Sequence, residues 1–230
     1  NGAGKTTLFH LLSGIIKGKQ SNQHSLKSNS IGLMPERVYF QGKRTVRAVL
    51  KYHQILRNSE ENENELLEIV GLSSQAENYV HRLSQGMQKR LCLAIALIGS
   101  PEILLLDEPM NGLDPIGQKA LSSLLLELKN QGKGLLISSH RLLEIQSLAE
   151  RFIVIDNGKK LANGTLNQLA NEFNLSREIE IQLLQNSKEI QLDLLKEFSI
   201  EIRPLGNFRY ILSGSNLELE EQRAKILKKI

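Results

Sequence analysis

Asn1-Gly2-Ala3-Gly4-Lys5-Thr6-Thr7 opens the chain and runs directly into the helical apolar spacing of Leu8, Phe9, Leu11 and Leu12. It reads as the second half of a phosphate-binding loop, G-x-x-x-x-G-K-[ST], whose first glycine falls two residues before Asn1. Gly2 and Gly4 let the backbone curl so that successive N–H groups converge on phosphate oxygens. A helix starting near Lys5 aims the positive end of its dipole at the same point. In this arrangement Lys5 bridges the β- and γ-phosphates and Thr6 offers its hydroxyl to Mg²⁺. A glycine-rich turn capping an ordinary helix accounts for the same residues, so partners elsewhere in the chain must decide between the two.

The 230 residues suit one large domain, or one domain with a smaller companion, and an apolar content of 40% is enough for a core. The 29 basic residues exceed the 25 acidic ones by only four, and the excess is spread along the chain. Nucleic acid is therefore not expected as a partner. The single cysteine, Cys92, lies in an apolar run. That excludes an intrachain disulfide, implies no cysteine-based metal site and fits a reducing compartment. The most apolar region, residues 91–106, is interrupted by Gly99-Ser100-Pro101-Glu102 and falls short of the ~20 uninterrupted residues of a membrane helix.

Apolar spacing predicts a helix from Thr6 to about Ile16 and a short strand at Ile31-Gly32-Leu33-Met34, closed by Pro35 and followed by Glu36. Amphipathic helices are predicted over 45–57 and 63–70. Leu83-Ser84-Gln85-Gly86-Met87 introduces a third helix, with Ser84 as a good N-cap. Next, Ile103-Leu104-Leu105-Leu106 runs into Asp107-Glu108-Pro109. Four consecutive apolar residues suit a central parallel strand buried on both faces, which delivers its acids to the C-terminal edge where such sheets bind ligands. Two adjacent carboxylates on a buried strand end are costly unless a cation or a reaction needs them.

The turn Asn111-Gly112-Leu113-Asp114-Pro115 leads to a helix over 117–130 and a strand, Leu135–Ser138, that ends in Ser139-His140. A helix over 141–149, a strand over 152–155 and a hairpin through Asp156-Asn157-Gly158 to Leu161-Ala162 continue the β-α-β rhythm. The class is α/β, a P-loop NTPase core with a mainly parallel sheet. A phosphate loop needs a metal, the metal a strand-end carboxylate, and hydrolysis a base and a residue on the γ-phosphate. Thr6, Asp107, Glu108 and His140 fill those posts.

With these features in this order, residues 1 to about 169 resemble the nucleotide-binding domain of an ATP-binding cassette (ABC) transporter. Asn1 to Thr7 resembles the Walker A loop, Leu104 to Glu108 the Walker B strand with its following acid, and Leu83 to Met87 the family signature loop. Asn111 to Pro115 resembles the D-loop and His140 the switch histidine.

The resemblance implies a head-to-tail homo- or heterodimer, with Mg-ATP held between the Walker A loop of one copy and Ser84 and Gly86 of the other. It implies that Asp107 orients Mg²⁺, Glu108 polarises the attacking water, His140 meets the γ-phosphate and Asp114 communicates across the dimer. The expected cofactors are ATP and Mg²⁺. The expected partners are separate transmembrane permease subunits, with the chain peripheral on the cytoplasmic face of the cell membrane. Gln85 and Met87 depart from the commonest signature, and the Ser-x-Gly-Met form resembles export-type cassettes. Glu36 stands where a glutamine usually follows the proline, adding charge at the position that couples nucleotide to permease.

The expected organisation is an ATPase domain over 1–172, with a helical subdomain inserted at about 37–95, and a small C-terminal α+β region over 173–230. Strands are expected near 178–183, 200–202 and 208–212, with an amphipathic stretch at 187–198 and a charged helix at 216–230. The alternatives are a soluble cassette protein acting on ribosomes or DNA, and a non-functional fragment. The second arises because the strand before the loop and the aromatic that stacks on adenine in this family are expected before Asn1.

Overall fold

The computed structural model describes residues 2–17, 30–40, 42–173, 177–182, 201–206 and 209–214, the last three by backbone alone. Asn1, the stretch 187–198 and the helix expected over 216–230 lie outside the described residues. The chain divides into two compact units, residues 1–149 with 155–159, and residues 150–154 with 160–230.

The first unit contains α1 (Lys5–Leu12), β1 (Ile31–Met34), α2 (Val46–Arg57), α3 (Glu63–Ile69), α4 (Gln85–Leu97), β2 (Ile103–Asp107), α5 (Pro115–Asn130), β3 (Gly134–Ser138) and α6 (Leu142–Ile145). Its strands form a parallel sheet in the order β1-β2-β3, with Ile31 opposite Ile103 and Asp107 opposite Ser138. Parallel pairing brings the residues after all three strands to one edge. There lie Glu36, Glu108 and His140.

Alternation along β2 divides the core between the sheet's two faces. Leu104 and Leu106 join the large cluster built with Leu50 of α2, Leu91 and Leu93 of α4, and Leu121 and Leu125 of α5. Leu105 packs with Phe9 of α1 and with Ile31. Both faces are covered, as the unbroken apolar run in β2 requires. On β1, Gly32 lets α4 approach unusually closely, because a Cβ there would meet the Ala96 carbonyl oxygen and lie 2.7 Å from Leu104 Cδ2.

The helix termini follow local chemistry. Thr45 caps α2, Asn62 caps α3 and Ser84 caps α4, each side-chain oxygen accepting a backbone N–H of the first turn. Asp114 caps α5, and Pro115 occupies the first helical position, where its missing N–H costs nothing. This moves the start of that helix two residues ahead of the expected Gly117. Two expectations need correction. α1 stops at Leu12 rather than Ile16, with Gly14 left-handed at φ 77° just beyond it. α6 is a single turn rather than a helix over 141–149, and its N-cap, Arg141, supplies no side-chain hydrogen bond.

Strands β4 (Phe152–Asp156) and β5 (Lys159–Gly164) form a two-stranded sheet around Asn157 and Gly158, both at positive φ. In the second unit, α7 (Leu166–Glu172) follows, set by a capping box between Thr165 and Gln168. Beyond it, β6 (Arg177–Gln182), β7 (Glu201–Gly206) and β8 (Arg209–Gly214) make an antiparallel sheet in the order β6-β8-β7. These three strands correspond to the expected ones, each shifted or extended by a few residues. Among the described residues, no helix is long and apolar enough to cross a membrane.

Candidate active site

Thr6, in the first turn of α1, donates from Oγ1 to Asp107 Oδ2 at 2.6 Å. Asp107 ends β2 and is only 2% exposed. An ionised carboxylate so deeply buried must be surrounded by donors, and the β2–β3 register supplies a second one. Ser138 lies opposite Asp107, and its hydroxyl donates to Asp107 Oδ1. The Thr6 hydroxyl is therefore held on the metal-type carboxylate by neighbours from two strands and a helix.

Glu108 follows immediately, in a left-handed backbone conformation at φ 46°. For a residue with a side chain this costs about 1–2 kcal/mol, so surrounding contacts must enforce it. Its N–H donates to Ser138, to the carbonyl at 3.2 Å and to the hydroxyl at 3.0 Å. The turn sends the carboxylate into a buried position between two cationic or potentially cationic groups. Oε2 lies 2.9 Å from His140 Nδ1, and Oε1 lies 3.4 Å from Lys5 Nζ. The Lys5 contact is an ion pair without hydrogen-bond geometry, so among the described residues Oε1 is a buried acceptor with no hydrogen-bond partner. A buried acceptor normally finds a donor; Oε1, paired only with the Lys5 ammonium, retains the capacity to accept a proton or a hydrogen bond.

The glycines before α1 hold backbone conformations that favour glycine. Gly2 is left-handed at φ 89° and Gly4 at φ 97°, which puts the loop in conformations that residues with a Cβ rarely adopt. Gly4 also serves as the α1 N-cap without a side-chain cap, leaving the first-turn N–H groups available. The Ala3 carbonyl accepts from Gly158 N at 3.0 Å. Thr7 is exposed on α1.

Three further residues complete the edge; sequence reasoning named Asn111 only within the D-loop stretch and gave Ser138 and Lys89 no role. Ser138 is one. Asn111 is another: its Nδ2 donates to Glu36 Oε1 at 3.1 Å, so the carboxylate at the glutamine position is anchored to the turn after β2. The third is Lys89, which is 8% exposed on α4 and donates from Nζ to the backbone carbonyls of Glu36 at 2.9 Å and Glu108 at 3.2 Å. Burial pushes its ammonium pKa down, and the carboxylates of Glu36, Asp107 and Glu108 act in the opposite direction. A lysine at helical spacing from Cys92 and Ala96, both buried on α4, was the available signal. Cys92 itself is a buried thiol whose pKa is pushed up to about 12, chiefly by burial.

Lys5, Thr6, Asp107, Glu108 and His140 are thus brought together, with Glu36 joined to them through Lys89 and Asn111. Among the described contacts, Ser84, Gly86 and Asp114 touch none of these five. Ser84 Oγ accepts Met87 N at 3.3 Å, and Asp114 Oδ1 accepts Gly117 N at 2.9 Å, so both serve as caps in their own helices. Gln85, at the signature's usual second glycine, lies against Gly112 so closely that a Cβ there would collide with its amide.

The donor set fits Mg²⁺ bound together with phosphates. Among the described residues, no group of three or more His, Cys, Asp or Glu side chains is placed to hold a metal. Mg²⁺ usually takes one or two protein oxygens and completes its shell with water and phosphate. Thr6 Oγ1 and Asp107 Oδ2, already converged, are oxygen donors of that kind.

The family model described as ABC transporter matches residues 1–111. The ABC transporter ATP-binding protein YhaQ of Bacillus subtilis is 35% identical over 187 residues, 75% of this chain and 62% of its own length. The lipopolysaccharide export system ATP-binding protein LptB of Haemophilus influenzae is 31% identical over 195 residues, covering 77% of this chain and 81% of its own. The bacitracin transport ATP-binding protein BcrA of Bacillus licheniformis is 36% identical over 205 residues, covering 84% and 66%. The chain thus spans less than two thirds of YhaQ and BcrA. Among solved structures, an ATP-binding subunit of an ABC transporter aligns with a TM-score of 0.65 at 25% identity, over 76% of this chain and 79% of that one. The Clostridium perfringens protein cbiO1, part of the transporter complex cbiONQ, aligns with a TM-score of 0.62 at 27% identity, over 75% and 77%.

Proposed function

The chain belongs to the ABC transporter family of ATP-binding proteins, and we propose that it is the ATP-hydrolysing subunit of an exporter, working through separate membrane-spanning subunits. The observation that carries the hydrolytic part is the Glu108 carboxylate: buried, held at Oε2 by His140 and paired at Oε1 with the Lys5 ammonium, with no hydrogen bond to Oε1 among the described residues. The export part draws support from relatives named for export or transport, LptB and BcrA. The Ser-x-Gly-Met form at Ser84 to Met87 points the same way.

In the reaction, the backbone N–H groups of Gly2 to Thr6 and the Lys5 ammonium bind the β- and γ-phosphates and neutralise their charge. Thr6 and Asp107 would hold Mg²⁺, which when bound draws charge from the phosphate oxygens. Glu108 Oε1 accepts a proton from the attacking water as its oxygen bonds to the γ-phosphorus. The bond to the bridging oxygen breaks, leaving ADP and inorganic phosphate. His140 Nδ1 keeps Oε2 in place, and its other ring nitrogen serves a γ-phosphate oxygen. Ser84 and Gly86, at the start of the capped α4, would close over the phosphates of a second copy. Asp114, the α5 N-cap, would communicate across that junction.

In this reading residues 1–172 form the ATPase domain, with the segment at about 37–95 as its helical subdomain, and 173–230 form an accessory region. The protein sits at the cytoplasmic face of the membrane, held there by its permease partners. Affinity capture from detergent-solubilised cells tests this: the chain is expected to bring down a membrane-spanning partner. Recovery with ribosomes or DNA and no membrane protein would overturn the transporter reading.

A further inference from the structure

We propose that Lys89 is a positioning residue for hydrolysis, clamping the backbone of Glu108 to the Glu36 loop and to the Ser84-capped helix. The proposal rests on Glu108 being the base, as argued above. Glu108 holds a left-handed conformation without being glycine, and such residues persist only where neighbours over-determine them. Its N–H is fixed by Ser138. Its carbonyl accepts from Asn111 N at 3.1 Å and from Lys89 Nζ at 3.2 Å. Asn111 belongs to the same turn, so Lys89 is the donor that reaches the carbonyl from another element.

The same ammonium reaches the carbonyl of Glu36 at 2.9 Å. One side chain therefore joins α4, the segment after β1 and the segment after β2. A buried ammonium is a costly way to fill space on a helix face, and methionine would pack with similar length. The use for the charge lies in the two carbonyls it satisfies. Because α4 begins at Ser84, a shift of that helix when a second copy's phosphates dock would be felt directly at Glu108.

The test uses Lys89→Met, which keeps the length and removes the donor, beside Lys89→Gln, which retains a donor. For Lys89→Met, kcat for ATP hydrolysis is expected to fall about 10- to 100-fold, the worth of a hydrogen bond to a charged group. ATP affinity stays within about threefold of native, because among the described residues Lys89 bonds to Glu36 and Glu108 and to none of the phosphate loop. Lys89→Gln recovers part of the lost turnover. Native turnover in both variants, or equal losses in kcat and affinity, would overturn the proposal. A native chain that hydrolyses no ATP would instead count against the ATPase reading. Lys89 is then judged by the ¹³C shift of the Glu108 carbonyl, compared between the native chain and Lys89→Leu, which removes the donor. The shift moves if Lys89 holds that carbonyl, and an unchanged shift overturns the role. The same comparison decides the matter if Lys89→Met does not fold.

Discussion

Thr6, Asp107, Ser138 and Glu108 form one hydrogen-bonded chain from α1 across two strands, and the proposed chemistry rests on it. Ser138→Ala removes a donor from Asp107 and an acceptor from the Glu108 N–H, both in buried surroundings. It should cost about 1–3 kcal/mol in a urea titration, and an unchanged midpoint would show that the chain is not coupled. Glu108→Gln keeps size and shape but cannot take up a proton. ATP affinity should be retained while turnover falls by roughly 10²–10⁴, and undiminished turnover would remove Glu108 from the role of base. Motif spacing and strand-end position named Lys5, Thr6, Asp107, Glu108 and His140 as candidates, and the structure gathers these five side chains at one edge. Lys89 was not named, since a lysine within a helical pattern looks solvated until packing turns it inward. The roles read for Ser84 and Asp114 lie between copies, and one chain displays only their local work as caps.

At the scale of elements, the sheet takes its order from the unbroken apolar run of β2, which demands cover on both faces and receives it from α1 and α4. At Gly32 the backbone of α4 leaves no room for a Cβ. Gly32→Ala should destabilise the fold by about 1–3 kcal/mol or more, because the methyl meets the backbone of α4 rather than a yielding side chain. Circular dichroism melting of this variant beside native chain reads that cost directly; an unaltered melting temperature would mean that β1 and α4 are further apart. Strands and capped helices were legible because apolar runs and N-cap residues mark them locally. The ends of α1 and α6 were not, as apolar residues such as Ile15 and Ile16 continue the helical pattern yet remain exposed beyond Gly14. α7 went unread although Thr165-x-x-Gln168 carries its capping box in plain view.

At the scale of the whole molecule, the first unit holds every residue assigned to ATP chemistry, while the second contributes the antiparallel sheet β6-β8-β7. The sequence pattern of that sheet was readable from alternation, as in Glu178-Ile179-Glu180-Ile181. Nothing in it names a ligand, which leaves its purpose unread. The proposed division of labour between Lys5 and Ser84 has a larger consequence: a site completed by a second copy would work only when copies meet. Steady-state ATP turnover by the native chain, measured with Mg²⁺ across a wide range of chain concentrations, tests hydrolysis and the shared site together. The rate per chain should rise with concentration until the copies are paired and then level off. A rate per chain that is the same at every concentration, or no turnover at any, would contradict the account.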